Sequence, residues 1–255
     1  MSLEIVTIPC LEDNYAFLLH DSATGKTAAV DVPDSGPILA VLEERGWDLD
    51  EIWLTHHHDD HIDGVPELRT ATGAKVTGAA ADAHRLPPLD RQVNDEEVFD
   101  FAGHPVRVID VSFHTIGHVA FYVADAKAVF SADSLMALGC GRIFEGNAEQ
   151  GWQSLSKLAA LPPETLVCSG HEYTLSNARF AMSVDAGNPA LQKRMAEVEQ
   201  AVREGRATVP SLLSEELATN PFLRATSAEM KRSVGMENAK DWEVFAEVRK
   251  RKDNF

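Results

Sequence analysis

Through the first two-thirds of the chain, apolar and β-branched residues come in short runs separated by turn formers, a pattern that predicts strands. Leu3–Ile8, Tyr15–His20 and Thr27–Val32 open the series. Pro37–Arg45 has a helical pattern instead, with Ser35 as the expected cap, Pro37 in the first turn and Gly46 as the stop. A buried-type strand is expected over Ile52–Thr55, a short helix over Val65–Thr72 and a strand over Ala74–Thr77. Val98–Phe101, Val106–Val111, Val119–Val123 and Ala128–Ser131 continue as strands, with a hairpin turn at Ala124–Ala126. A helix over Ala148–Ala160, capped by Asn147 and stopped by Pro162 and Pro163, leads to a strand at Thr165–Cys168. After Tyr173 no strand-like run remains. Four or five helical segments follow, including Ala190–Arg203 and Asp241–Lys252, punctuated by Pro189, Pro210 and Pro221. The expected organisation is an α/β domain over residues 1–173 and a smaller all-helical domain over 174–255.

Size and composition narrow the class. At 255 residues the chain can bury a substantial core without disulfides. Cys10, Cys140 and Cys168 are widely spaced and form no CxxC pair, which points to a reducing compartment. The N-terminus shows no basic stretch followed by an apolar run, and no apolar run approaches the roughly 20 residues of a membrane span. A cytoplasmic protein with no membrane partner is the expectation, and a monomer. A net charge of -17 disfavours nucleic acid, whose phosphates need a basic face.

The densest chemistry is His56-His57-His58-Asp59-Asp60-His61, directly after the Ile52–Thr55 run. Neutral imidazole and carboxylate are preferred ligands of divalent ions such as zinc. In extended backbone His56 and His58 fall on one side and can converge on one ion, whereas the adjacent Asp60 and His61 point elsewhere, toward a second. Three more candidates share a position just past a predicted strand: His114, Asp133 and His171. Singly each is an ordinary structural residue. Together they are what loops gather at one rim of a rigid scaffold.

These segments resemble the metallo-β-lactamase superfamily, and within it the glyoxalase II (hydroxyacylglutathione hydrolase) family. The matching stretches are Thr55–His61, His114–His118 (HTIGH), Phe130–Asp133 (FSAD), Gly139–Arg142, Glu145-Gly146 and Gly170–Tyr173. Asp13-Asn14-Tyr15, Thr219–Arg224 and the terminal Arg249–Phe255 match too, so the resemblance runs end to end. It implies an αββα sandwich followed by the helical domain. It implies two divalent ions, zinc first with iron and manganese also suited to the donor set. His56, His58 and His114 would hold one, Asp60, His61 and His171 the other, and Asp133 would bridge them. His57 would support the ligands without being one, Asp59 would be solvated, and His118 would steady its loop by hydrogen bonding. His20, His84 and His104 are expected to be ordinary surface or loop residues.

The implied reaction is hydrolysis of S-2-hydroxyacylglutathione, such as S-D-lactoylglutathione, by a hydroxide shared between the metals, with Asp60 orienting it or taking its proton. Glutathione carries carboxylates, and Arg249–Lys252 is the densest positive run in the chain. By resemblance Arg249 and Lys252 bind the glycine carboxylate, with Tyr173 and the Arg142–Phe144 segment lining the pocket. Phe144 stands where the family often has tyrosine, and Arg142 where lysine is usual; a lost hydroxyl is worth ~0.5–1.5 kcal/mol. Cys140, between glycines, reads as a small packed residue and not a nucleophile. Three rivals stay open: a mono-iron persulfide dioxygenase of the same superfamily, a lactonase or β-lactamase, and a non-enzymatic metal-binding protein.

Overall fold

The computed structural model describes residues 2–255 and divides into two compact units. The first comprises the described residues up to Asp110 together with Thr115–Ala132. In it β1 (Leu3–Cys10), β2 (Asn14–Asp21), β3 (Lys26–Val30), β4 (Glu51–Trp53), β5 (Lys75–Ala79) and β6 (Arg91–Val93) form one sheet in that order, antiparallel through β3 and parallel thereafter. The parallel crossovers carry α1 (Ser35–Arg45) and α3 (Val65–Thr72), and between them lies the single turn α2 (Asp59–Ile62). Strands β7 (Val98–Phe101), β8 (His104–Asp110), β9 (Val119–Val123) and β10 (Ala128–Ala132) form an antiparallel meander.

Alternation along the central strands assigns each face its partner. Leu18, Ala29, Ile52, Leu54 and Val76 are buried with Ile38, Leu42, Val65 and Leu68 from the helices. Trp53, between Ile52 and Leu54, turns the other way and meets Phe99, Phe101, Phe121 and Phe130 of the meander at centroid distances of 5.3–6.5 Å. Helices outside and sheet against sheet inside is the layering the periodicity predicts. A fully buried tryptophan in such a cluster is worth about 3–5 kcal/mol against alanine.

The second unit comprises Val111–His114 and Asp133–Phe255. It holds a small hairpin of β11 (Leu135–Met136) and β12 (Gly139–Cys140), then α4 (Ala148–Ala159) and β13 (Leu166–Ser169). The helices α5 (Thr174–Asp185), α6 (Pro189–Arg203), α7 (Leu213–Thr219), α8 (Ala228–Val234) and α9 (Asp241–Asp253) follow. Asn147 caps α4 in a reciprocal capping box with Gln150, as its place before the helix predicts. Phe245 of α9 packs on Phe113, Trp152 and Phe222, so the last helix belongs to this unit's core.

Three expectations need correction. The cap of α1 is Asp34, whose Oδ1 accepts from Gly36 N at 2.9 Å; Ser35 lies inside the helix and donates to Glu67. The region after Tyr173 contains a strand, β14 (Ser211–Leu212), pairing antiparallel with β13. His20 is neither a surface nor a loop residue: it is buried on β2, stacks on Trp47 at 3.8 Å and bonds Thr27. Among the described residues no helix is long and apolar enough to cross a membrane.

Candidate metal centre

In the first unit, β4 delivers Leu54, Thr55 and His56, and the chain closes into α2 by a bond from His61 N to the His58 carbonyl at 2.9 Å. The organising group is Asp31, buried just past β3 in left-handed backbone (φ 56°). Its Oδ1 accepts from Thr55 N at 2.9 Å, while Oδ2 accepts from Thr55 Oγ1 and His61 Nδ1, each at 2.8 Å. These bonds decide the tautomers. The Thr55 hydroxyl has one hydrogen and gives it to Asp31, so at 3.0 Å it accepts from His56 Nδ1. Neutral His56 and His61 therefore each present a lone pair on Nε2. Asp31, His56 and His61 offer donor atoms within 4.8 Å of one another, but the oxygens of Asp31 are committed to Thr55 and His61, and it serves to orient them.

The remaining members of the cluster take different positions. His56 Nε2 and His58 Nδ1 stand 3.2 Å apart. Asn14 Nδ2 donates to both the carbonyl and Oδ2 of Asp60 at 3.0 Å, holding that half-exposed carboxylate 3.9 Å from His61 Nε2. His57 faces away, donating from Nδ1 to Asp82 Oδ2 at 2.8 Å, and Asp59 is exposed in the first turn of α2. His118 is buried, its ring stacked on His56 at 4.5 Å.

In the second unit, His114, Asp133 and His171 are buried together. His114 Nε2 and His171 Nε2 each lie 3.4 Å from Asp133 Oδ2. The Arg142 carbonyl, which can only accept, holds the proton of His114 on Nδ1 at 2.9 Å. Neutral His114 therefore aims a lone pair at a carboxylate, an arrangement that a cation satisfies. Gly141 leaves the space for this turn: a Cβ there would overlap the Asp133 carbonyl oxygen and lie 2.8 Å from His114 Nδ1. Ala132, directly before Asp133, has φ 41°, a left-handed conformation costing roughly 1–2 kcal/mol outside glycine.

The donor set fits divalent ions. Ligand atoms held at about 2.0–2.1 Å by one tetrahedral ion stand roughly 3.3 Å apart. The His56–His58 pair and both Asp133 pairs have that edge length within each unit.

Around this lie the residues expected to bind substrate. Phe144 is exposed, its ring 5.1 Å from His114, and half-exposed Tyr173 stacks on His171 at 4.7 Å. Arg142 is exposed. Arg249 is buried: Nη1 donates to the Cys140 carbonyl at 2.9 Å, Nη2 pairs with Asp253 at 2.9 Å, and the guanidinium lies 5.1 Å from the Phe222 centroid. Lys252 Nζ donates to Ser176 Oγ at 3.2 Å. Burial first, and then the charges of Arg249 and Arg142, push its pKa down to about 8. Cys140 is buried beside Arg249 and its thiol is pushed up to about 11 by burial, so it is a packed residue and no nucleophile.

Asp31 and Asp82 carry no role in the sequence reading. Asp31 sits just past β3 as the strand ends in the structure, but the predicted strand Thr27–Val32 enclosed it and hid that signal; Asp82 had none.

Comparison with known proteins accords with this geometry. Residues 16–171 match the family model described as Metallo-beta-lactamase superfamily, and residues 172–255 match Hydroxyacylglutathione hydrolase C-terminus. Proteins called hydroxyacylglutathione hydrolase from Ruegeria pomeroyi and Cereibacter sphaeroides are 62% and 60% identical over 255 residues, covering 100% of both chains in each case. The BLEG-1 B3 metallo-beta-lactamase superposes with a TM-score of 0.68 at 20% identity, over 86% of this chain and 99% of its own, which speaks for the fold alone. TTHA1623, solved in a di-iron-bound form, gives 0.57 at 27% identity over 66% of this chain and 91% of its own. The fold is thus the metallo-β-lactamase αββα sandwich with a helical C-terminal domain, and the chain belongs to the hydroxyacylglutathione hydrolase, or glyoxalase II, family of metal-dependent hydrolases.

Proposed function

We propose that this protein hydrolyses S-2-hydroxyacylglutathione, such as S-D-lactoylglutathione, to glutathione and the 2-hydroxy acid, D-lactate in that case, the second step of methylglyoxal detoxification. The carrying observation is that Arg249 and Lys252 lie within the segment, residues 172–255, that matches Hydroxyacylglutathione hydrolase C-terminus, with the charge of Arg142 near enough to act on Lys252. Like charges gathered on a strongly acidic chain suit an anionic substrate. Residues 1–173 form the catalytic domain in this reading and 174–255 the substrate-binding domain; family-model limits at 171 and 172 support that division.

His56, His58 and His114 would hold one ion, Asp60, His61 and His171 the other, and Asp133 would serve both. Two divalent ions, when bound, supply a water of lowered pKa and stabilise a developing oxyanion. Zinc suits the imidazole and carboxylate donors best, and manganese also fits; the di-iron form of TTHA1623 makes iron the first alternative. Asp60, braced by Asn14, orients the attacking water and takes its proton. Attack on the thioester carbonyl forms the C–O bond, and the C–S bond breaks with the electron pair leaving on sulfur. A thiolate leaves without needing a strong acid at hand. Arg249 and Lys252 bind the glycine carboxylate, while Arg142, Phe144 and Tyr173 line the approach.

We also place the enzyme in the cytoplasm as a monomer. Three free, buried cysteines suit a reducing compartment.

The test is turnover of S-D-lactoylglutathione by metal-loaded protein, followed by thioester absorbance, with elemental analysis and an oxygen electrode alongside. Hydrolysis without oxygen uptake, lost on chelation and restored by metal, is expected. An intact thioester, or oxygen consumed with a persulfide, would sink the proposal.

A further inference from the structure

Asp82 lies outside every segment that points to metal chemistry, yet it is completely buried. A buried carboxylate is costly unless its oxygens are used. Both are: Oδ2 accepts from His57 Nδ1 at 2.8 Å and Oδ1 from Arg85 Nε at 2.5 Å. Arg85 carries the connection onward, its Nη2 donating to the Ile116 carbonyl at 2.8 Å. The next residue, Gly117, adopts φ 91° and packs so closely that a Cβ on it would lie 2.9 Å from the Cβ of Asp82. One residue further, His118 lays its ring on His56, the two planes 10° apart.

His57 stands between two candidate ligands. Its neighbours His56 and His58 bring nitrogens within 3.2 Å of each other, and in the extended backbone at this point (His58 φ -63°, ψ 140°) the middle side chain leaves on the opposite side. Holding the His57 ring therefore holds the peptide planes from which both flanking imidazoles hang. We propose that Asp82 is a positioning residue for the His56–His58 metal-binding face, acting from behind through His57 and, by way of Arg85, through the 116–118 segment. The inference rests on the metal-centre reading above and goes beyond it, because Asp82 would touch neither ion nor substrate.

The test uses Asp82→Ala, His57→Ala and His57→Asn in the full chain. Asparagine keeps an N–H donor for Asp82, and alanine does not. Zinc affinity is measured by competition with a chromophoric chelator, coordination by the visible spectrum of the cobalt-substituted protein, and catalysis as kcat and KM separately. Loss of a partner behind a metal-ligating face costs about 10- to 100-fold in metal affinity. Both alanine variants should show that loss with a changed cobalt spectrum and an unchanged KM, and His57→Asn should recover most of the affinity. If Asp82→Ala does not fold, the two His57 variants decide alone. Wild-type zinc affinity and an unaltered cobalt spectrum in His57→Ala would overturn the inference. A wild-type chain that held no zinc would instead overturn the metal-centre reading, and this inference with it.

Discussion

The segment His56–His61 and helix α9 are the two places where this chain concentrates one kind of polar side chain, and folding treats them oppositely. In the first, His56 and His58 are brought within 3.2 Å, His61 is turned against Asp31, and only His57 and Asp59 are sent elsewhere. In α9 the run Arg249–Lys252 disperses around the helix. Arg249 enters the core, Lys250 stays in solvent, Arg251 bonds Glu247 and the Val234 carbonyl, and Lys252 is half-buried. A dense run in a loop can converge, because alternate residues share a side. A dense run on a helix cannot, because successive residues are 100° apart. Only part of a helical charge run is therefore available to a ligand.

The sharpest way to break this comparison is to remove the group on which the second unit's imidazoles converge. Asp133→Ala should lose thioester turnover by more than about 100-fold, beyond the usual cost of an outer partner, and retain less metal by elemental analysis. Near-wild-type metal content would show that convergence on Asp133 is not ligation.

Next comes Arg249, whose place inside the second unit gives it a structural share. Arg249→Met removes a donor from the buried Cys140 carbonyl and should cost about 1–3 kcal/mol in denaturant unfolding, in addition to raising KM. Unchanged stability would reassign it to substrate alone.

The smallest expected effect belongs to Lys252 and is one of pH. Its pKa is lowered to about 8, so the ammonium is lost as pH rises through 8, and KM for a glutathione thioester should climb there. Lys252→Met should flatten that climb. The linkage runs the other way for stability: between pH 8 and the ordinary lysine range the unfolded chain binds the extra proton, so folding gains as pH rises. A KM that stays level across pH 8 would remove Lys252 from carboxylate binding.

Continuous apolar runs such as Tyr15–His20 and Ile52–Thr55 could be read directly, because a strand buried on both faces is apolar at nearly every position. Strands β6, β11, β12 and β14 could not, since two or three residues carry no period and exist through their neighbours. The same divide runs through the site. The metal candidates announce themselves by residue type and by position after strands. Asp82 is an acidic residue in a short 3-10 turn, and its use depends on the 116–118 segment, more than thirty residues on. His57 was legible as a non-ligand only through the family resemblance, which gives the ligand roles to its neighbours. The inward turn of Arg249 depends on the Cys140 carbonyl, which no local pattern announces.

Gly141 has a consequence for how this gene can drift. Many positions absorb a conservative exchange by letting a flexible neighbour move. Here the obstacle is the backbone oxygen of Asp133 itself, with the His114 ring beside it. A one-methyl change would have to displace a peptide unit next to the carboxylate, so even alanine should be selected against as firmly as loss of a ligand. In a saturation library scored for growth on methylglyoxal, position 141 should tolerate glycine alone, although it contributes no functional group.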